Sequence, residues 1–307
     1  MRMKYNLDTK LLFQIGDPLD HATAAYIHNA MYELAHVNAI NQYAIVKKGE
    51  LPKFIECCKY LGVVGFDIAT PHKTDIIQYL DECDEFSREF QSVNHVKIRE
   101  GKLIGIGLDG AGMAISLEQA GAKFDGRALI LGAGAVTGPI AAEICKKGTK
   151  EMVILNRTVA KAESIAEILR RHFDIPVISD AMTTENIQKY AENMDIVVNC
   201  TSLGIASGTD DYSDEDLAFI GKLPAHCTVA DVVYNPVTKL QKAAMARGLK
   251  VVGGMPMMFN QERALMKFHF DIDLPEGYEI EGEEAMRTAV TLNHFWRKQH
   301  GYTNAND

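Results

Sequence analysis

Ala128-Leu129-Ile130-Leu131-Gly132-Ala133-Gly134-Ala135-Val136-Thr137-Gly138 sets four consecutive apolar residues directly against a glycine-rich turn. An uninterrupted apolar run of this length reads as a strand buried on both faces, as in a parallel sheet. Helical patterning then continues to about Lys147, and a second apolar run at 152–155 completes a βαβ unit. In that setting Gly132, Ala133, Gly134 and Ala135 let the backbone approach a pyrophosphate at a helix N-terminus. The fingerprint is irregular, because Thr137 stands at the third glycine and Gly138 follows one residue late. A plain strand-to-helix turn is the alternative reading.

Outward from this unit, the second strand ends in Asn156-Arg157-Thr158. NAD-binding sheets place an acid there for the ribose 2′-hydroxyl, yet none occurs before Glu163. Arg157 can instead neutralise a 2′-phosphate, with a hydrogen bond from Thr158 and with Lys161 nearby, so NADP is the expected cofactor. Further strands read at 196–199, 229–233 and 250–252. Asn199-Cys200-Thr201-Ser202-Leu203-Gly204 and Asp231-Val232-Val233-Tyr234-Asn235-Pro236 follow or end two of them. Ligands bind at such carboxyl ends, which makes Thr201, Ser202, Val232 and, after the last strand, Gly254 cofactor candidates. Simple turn chemistry also explains these residue types.

The first third alternates short β-rich runs with helical stretches, and then pairs 93–99 with 102–106 about Glu100-Gly101 as a hairpin. The fold expected is α/β in two domains: an α/β substrate domain over 1–109 and a Rossmann-type NADP-binding domain over 110–254. Helices in 255–307 are expected to return to the first domain. The 307 residues, 47% apolar, suffice for two cores. A net charge of −9 disfavours nucleic acid. No apolar run approaches membrane-spanning length, and residues 1–16 lack the apolar core and cleavage site of a signal peptide. Six cysteines without a C-x-x-C pair or a histidine at ligand spacing read as reduced thiols, so the cytoplasm is expected and a bound metal is not. The acidic stretches around 210–216 and 276–284 read as solvated loops and helix starts.

Hydride exchange with a carbinol needs a group that takes or returns the hydroxyl proton. Lys73 is a candidate, with Thr70 read as an N-cap and Pro71 as the first helical residue, so that the lysine lies at the positive end of a helix dipole. An exposed structural lysine is the plainer interpretation. Asp109, in Leu108-Asp109-Gly110, reads either as a turn residue or as a carboxylate that orients the substrate hydroxyl and Lys73.

These segments, in order, resemble the shikimate dehydrogenase family over essentially the whole chain. Gly16-Asp17-Pro18-Leu19-Asp20-His21 with His28-Asn29-Ala30 resembles its substrate loop, Pro71-His72-Lys73 the motif of its catalytic lysine, and Val93-Asn94 a substrate-contacting segment. Asp109-Gly110-Ala111-Gly112 resembles D-G-x-G with its aspartate, and Gly253-Gly254-Met255 through Gln261 the closing motif. The resemblance implies Lys73 and Asp109 as the catalytic pair, with Asn94, Tyr234 and Gln261 lining the pocket. It implies reversible NADP-linked oxidation of shikimate or a related cyclic polyol by a monomer or homodimer.

The departures fall on one subsite. Where typical members carry two carboxylate-binding serines the chain has Ala22 and Ala24, the pocket threonine is Ala69, and an asparagine is Asp67. Hydrogen bonds to a charged group contribute roughly 1.5–3 kcal/mol each, so the alternative substrate is a ring alcohol or ketone without a carboxylate there. A catalytically silent ligand sensor is a further alternative.

Overall fold

The computed structural model describes residues 5–19, 22–204, 211–233, 237–274, 277 and 279–299. It divides into two compact units, one running to Leu108 and resuming at Glu262, the other comprising Asp109–Gln261. The sequence reading put these divisions at 109 and 254.

The first unit contains β1 (Lys10–Gly16), α1 (Ala24–Leu34), β2 (Ala39–Ile45), α2 (Leu51–Leu61), β3 (Gly65–Ile68), α3 (His72–Asp75), β4 (Glu82–Cys83), α4 (Glu85–Glu89), β5 (His95–Arg99) and β6 (Lys102–Ile106). Its sheet runs β2-β1-β3-β5-β6-β4. The strands β2, β1 and β3 are mutually parallel, so Ile45, Gly16 and Ile68 end at one edge. β5 is antiparallel to β3 and begins at that edge, which brings His95 opposite Asp67. The β5–β6 hairpin turns at Glu100 (φ 53°) and Gly101 (φ 79°). Two positive-φ residues make the turn whose twist matches the flanking strands. The core joins Ile15, Phe66, Ile68, Val96 and Leu103 from the sheet, and Val93 just ahead of β5, to Leu51 and Ile55 of α2.

The second unit contains α5 (Asp109–Gln119), β7 (Arg127–Leu131), α6 (Thr137–Lys146), β8 (Glu151–Asn156), α7 (Val159–His172), β9 (Val177–Ala181), α8 (Thr184–Ala191), β10 (Ile196–Asn199), α9 (Asp214–Leu217), β11 (Thr228–Asp231), α10 (Lys239–Ala246) and β12 (Lys250–Val252). All strands are parallel, in the order β12-β11-β10-β7-β8-β9. Counted within the unit this is the 3-2-1-4-5-6 order of dinucleotide-binding sheets. Leu129, Leu131, Val153, Leu155, Val197 and Val229 form its core with Phe219 and Leu240. The remaining helices are α11 (Gly254–Phe270), whose residues are divided between the units after Gln261, and α12 (Glu279–Gln299) of the first unit, packed on α1.

Sequence reasoning missed β9. It is an edge strand in which only Val177 is buried, so Val-Ile-Ser-Asp-Ala lacks the apolar run that marked β7 and β8.

Candidate functional site

In the second unit, β7 and β10 are neighbours from which the strand order runs in opposite directions, the place where open α/β sheets bind ligands. The turn after β7 sits there. Gly132 has φ 102°, and a Cβ on it would meet the Cys200 carbonyl oxygen at 3.0 Å and Thr201 Cγ2 at 2.9 Å. Only glycine fits both the dihedral and the space. At Gly134 the nearest such atom is 3.8 Å away, leaving room for a phosphate to approach. The missing third glycine has a physical account: Thr137, fully buried, donates its hydroxyl to the Gly132 carbonyl (3.3 Å) and accepts from Gly134 N–H (3.1 Å), bracing the turn. Asn156 at the end of β8 accepts from Ala133 N–H at 3.1 Å. Ala135 lies in the same turn, just ahead of α6. Beyond Asn156, Arg157, Thr158 and Lys161 are exposed where α7 starts, and the Thr158 side chain makes no capping bond. The backbone room, the helix N-terminus and these two cations suit an NADP diphosphate and 2′-phosphate.

The loop after β10 is wired from below. Asn199 Oδ1 accepts from Thr201 N–H (3.0 Å), the Thr201 hydroxyl (2.7 Å) and the Tyr212 hydroxyl (2.9 Å). Its Nδ2 donates to Asp231 Oδ1 at 3.0 Å, and Asp231 Oδ2 accepts from Thr238 at 2.6 Å. Burial pushes the Asp231 carboxyl up from its ordinary value, against the pull of Thr238, the Val233 amide and Asn199. Ser202 is exposed and Val232 half-buried on the same strand ends, while Gly254 N–H donates to Val233 O at 3.3 Å. Tyr234, expected to line the pocket, lies outside the described residues.

Asp109 opens α5 as a buried residue and accepts from Gln261 Nε2 at 2.9 Å. The glycines beside it serve packing: a Cβ on Gly110 would meet the Pro139 carbonyl oxygen at 2.3 Å, and one on Gly112 the Met257 oxygen at 2.5 Å. The D-G-x-G pattern thus sets α5 hard against α6 and α11.

In the first unit Gly16, Ala69 and Asn94 meet at the shared strand edge. Ala69 N–H donates to Ile15 O (2.8 Å), Ile68 N–H to Asn94 O (2.8 Å), and Asn94 Oδ1 accepts from Leu108 N–H (3.0 Å). Ala22 and Ala24 are half-buried at the start of α1, with the Ala22 carbonyl held by the Tyr43 hydroxyl at 3.0 Å. Lys73 is half-buried in α3. The N-cap expectation is corrected here: α3 begins at His72 behind Pro71 with no side-chain cap, because His72 N–H closes back on Ala69 O at 3.1 Å. The helix has only four residues, so the dipole argument for Lys73 loses its length. A groove lined by Tyr26, Leu34, Ala285 and Leu292 includes none of these site residues.

The profile of the shikimate dehydrogenase substrate binding domain matches residues 14–96, and that of shikimate / quinate 5-dehydrogenase matches residues 115–205. A shikimate dehydrogenase (NADP(+)) of Alkaliphilus oremlandii is 32% identical over 88% of this chain and 95% of its own length. The chain belongs to the shikimate dehydrogenase family. The Methanocaldococcus jannaschii shikimate dehydrogenase (NADP(+)) is 33% identical over 85% of this chain and 92% of its own. Among solved structures, a shikimate 5-dehydrogenase of Listeria monocytogenes superimposes with TM-score 0.84 at 25% identity, covering 92% of this chain and 98% of that one. A 5-ketofructose reductase of a Gluconobacter strain does so with TM-score 0.81 at 27% identity, covering 94% and 100%.

For a shikimate dehydrogenase family member, the surroundings of Asp67 are the feature that sequence reasoning missed. Asp67, 4% exposed, does not stand alone: Asn41 Nδ2 donates to its Oδ2 at 2.5 Å, His28 Nε2 lies 3.0 Å from the same oxygen, and His95 Nδ1 lies 2.8 Å from Oδ1. His28 Nδ1 in turn meets Glu262 of α11 at 2.9 Å. Burial opposes the His28 charge, but the Asp67 and Glu262 carboxylates outweigh it and hold the imidazole well above its ordinary value. Burial likewise pushes Asp67 up, and His28 and His95 more than reverse it, keeping the carboxylate ionised. In the sequence only Asp67, set between Phe66 and Ile68, signals such a cluster, and its members are spread over five elements.

Proposed function

We propose that this chain is an NADP-dependent dehydrogenase that interconverts a ring secondary alcohol and its ketone, with shikimate and 3-dehydroshikimate as the reference pair. The observation that carries the reading is the Gly132 turn at the switch point, followed by Arg157, Thr158 and Lys161, in a family member that retains Lys73 and Asp109. Arg157 and Lys161 neutralise the 2′-phosphate, and amides of the Gly132 turn take the diphosphate. When bound, the nicotinamide supplies a two-electron hydride acceptor or donor. Lys73 takes the hydroxyl proton during oxidation and returns it during reduction, while Asp109, held by Gln261, orients the hydroxyl. The partner is thus a small cyclic polyol. Six unpaired thiols support a reducing compartment, the cytoplasm, as its place of work. Among the described residues no helix is long and apolar enough to cross a membrane.

One observation favours a second reading of the substrate. Ala22, Ala24 and Ala69 offer only methyl groups where a carboxylate would be held, and the similar Gluconobacter protein is named for a neutral keto sugar. The test is an NADP+ and NAD+ activity screen over shikimate, quinate and neutral cyclic polyols, with Lys73→Met and Asp109→Asn. Turnover with NADP+ that falls about 10²–10⁴-fold in either variant is expected. NADP+ binding without turnover of any of these substrates sinks the enzyme reading. If the second substrate reading is right, an Ala22→Ser/Ala24→Ser/Ala69→Thr variant gains shikimate turnover, whereas efficient wild-type turnover at micromolar shikimate overturns it.

A further inference from the structure

We propose that the first unit holds a structural divalent transition-metal ion, zinc foremost, on Asp67, His95 and His269. The three residues come from β3, β5 and α11, and one ligand atom of each lies within 4.8 Å of the others. All are more than nine-tenths buried, at 4%, 4% and 6% exposure. Among the described residues, His95 Nε2 and both ring nitrogens of His269 lack any hydrogen-bond partner. A buried imidazole left unpaired on both nitrogens is a standing penalty that a ligated cation removes.

The backbone makes room for the ring at the site. Gly65 faces His269 so closely that a Cβ there would lie 2.3 Å from Cε1 and 2.7 Å from Nδ1. Any other residue at 65 would drive the imidazole out. The surroundings also resemble the outer shell of a metal centre. Asp67 Oδ2 is occupied by Asn41 and faced by His28, so Oδ1, which pairs with His95 Nδ1 at 2.8 Å, is the carboxylate oxygen that would exchange that bond for the ion.

Two imidazoles and one carboxylate select zinc or a similar first-row ion over magnesium or calcium, which prefer all-oxygen shells. Three protein ligands leave one position for water. Such an ion ties the C-terminal half of α11 to the sheet, where Lys97 Nζ already donates to Phe268 O at 2.7 Å. None of its ligands is Lys73, Asp109 or a residue of the Gly132 turn.

The test refolds the full chain with EDTA, with Zn2+ or with Co2+, desalts it, and measures metal content, thermal unfolding and, for Co2+, the visible and near-ultraviolet spectrum. We expect one tightly held equivalent and a Tm above that of the EDTA sample. The Co2+ bands should be those of nitrogen and oxygen ligands, without thiolate charge transfer. His95→Gln and His269→Gln should each lose the equivalent, and Asn41→Ala should weaken binding about 10-fold through the outer shell. No retained metal, thiolate bands from the cysteines, or full retention in both histidine variants overturns the proposal. The wild-type Co2+ spectrum decides even where a variant fails to fold.

Discussion

Each unit buries a polar cluster near the carboxyl ends of its strands, and the two clusters are built on opposite principles. In the second unit Asn199, Asp231, Thr201, Thr238 and Tyr212 form a closed hydrogen-bond network with one ionisable carboxylate, and none of these side chains has an orphaned buried atom. In the first unit His28, Asp67, His95, His269 and Glu262 bring five ionisable groups together and leave ring nitrogens without partners. A satisfied network fixes loops and ignores its surroundings. An ionic cluster with unmet bonds answers to protons and to ligands. The Gly132 turn rests against the first kind, as a preorganised phosphate site should.

The largest effect that separates the two is acid sensitivity in the metal-free chain. Burial lowers the His269 imidazole from 6.5 to about 3; Asp67 pulls it up, and His95, His28 and Lys97 push it further down. From 6.5 downward the unfolded chain takes a proton that the folded one refuses, so stability falls with pH. Full development is worth roughly 5 kcal/mol and the part reached by pH 4.5 roughly 2–3 kcal/mol. His28, raised, keeps its contribution in acid and loses it only as pH rises through its folded value. Asp231, also raised, favours its unit as pH falls. Hydrogen exchange at pH 4.5, corrected for intrinsic rates, should therefore open β3 and β5 before β10 and β11, and His269→Gln should flatten the difference. Equal protection of the two sheets would break the contrast.

Substituting the two aspartates gives the next effect. Asp67→Asn removes one of two counter-charges from a buried imidazolium and should cost about 3 kcal/mol in urea unfolding at pH 7. Asp231→Asn keeps an acceptor for Asn199 and Val233 and sheds a charge that burial penalises. A cost near 1 kcal/mol is expected. A larger loss at 231 than at 67 would reverse the assignment of which cluster is the charged keystone.

How far such features are legible in sequence follows from how each is built. The run at 128–131 and the turn after it announced the second sheet because a strand covered on both faces must be apolar throughout. Glu100-Gly101 announced its hairpin through local turn chemistry. Thr137 was read as a defect in the glycine pattern, since its hydroxyl bonds to Gly132 and Gly134 exist only once the turn has closed. Asp67 was read as a substitution for a subsite asparagine, and its buried partners were not foreseen because His28, His95 and Asn41 come from three other elements that only β-pairing and helix packing bring together. Likewise Thr70 before proline suggested a cap, and the long-range bond from Asp17 N–H to Thr70 O, at 3.0 Å, could not be foreseen from local residues.

The smallest effect probes how redundant the closed network is. Tyr212, 2% exposed, donates its hydroxyl to Asn199 Oδ1, which also accepts from the amide and hydroxyl of Thr201. Tyr212→Phe therefore removes one donor and orphans nothing, for a cost of about 1 kcal/mol or less. The Thr201 hydroxyl still donates to Asn199 and accepts from Leu203 N–H at 3.1 Å, so the loop beside Gly132 should hold its shape. NADP+ affinity, measured by quenching or calorimetry, should then stay within about twofold, well under the tenfold that 1.4 kcal/mol represents. A drop of tenfold or more would mean that the tyrosine, and not the Asn199–Thr201 pair, sets the loop, and that this network is as brittle as the ionic one.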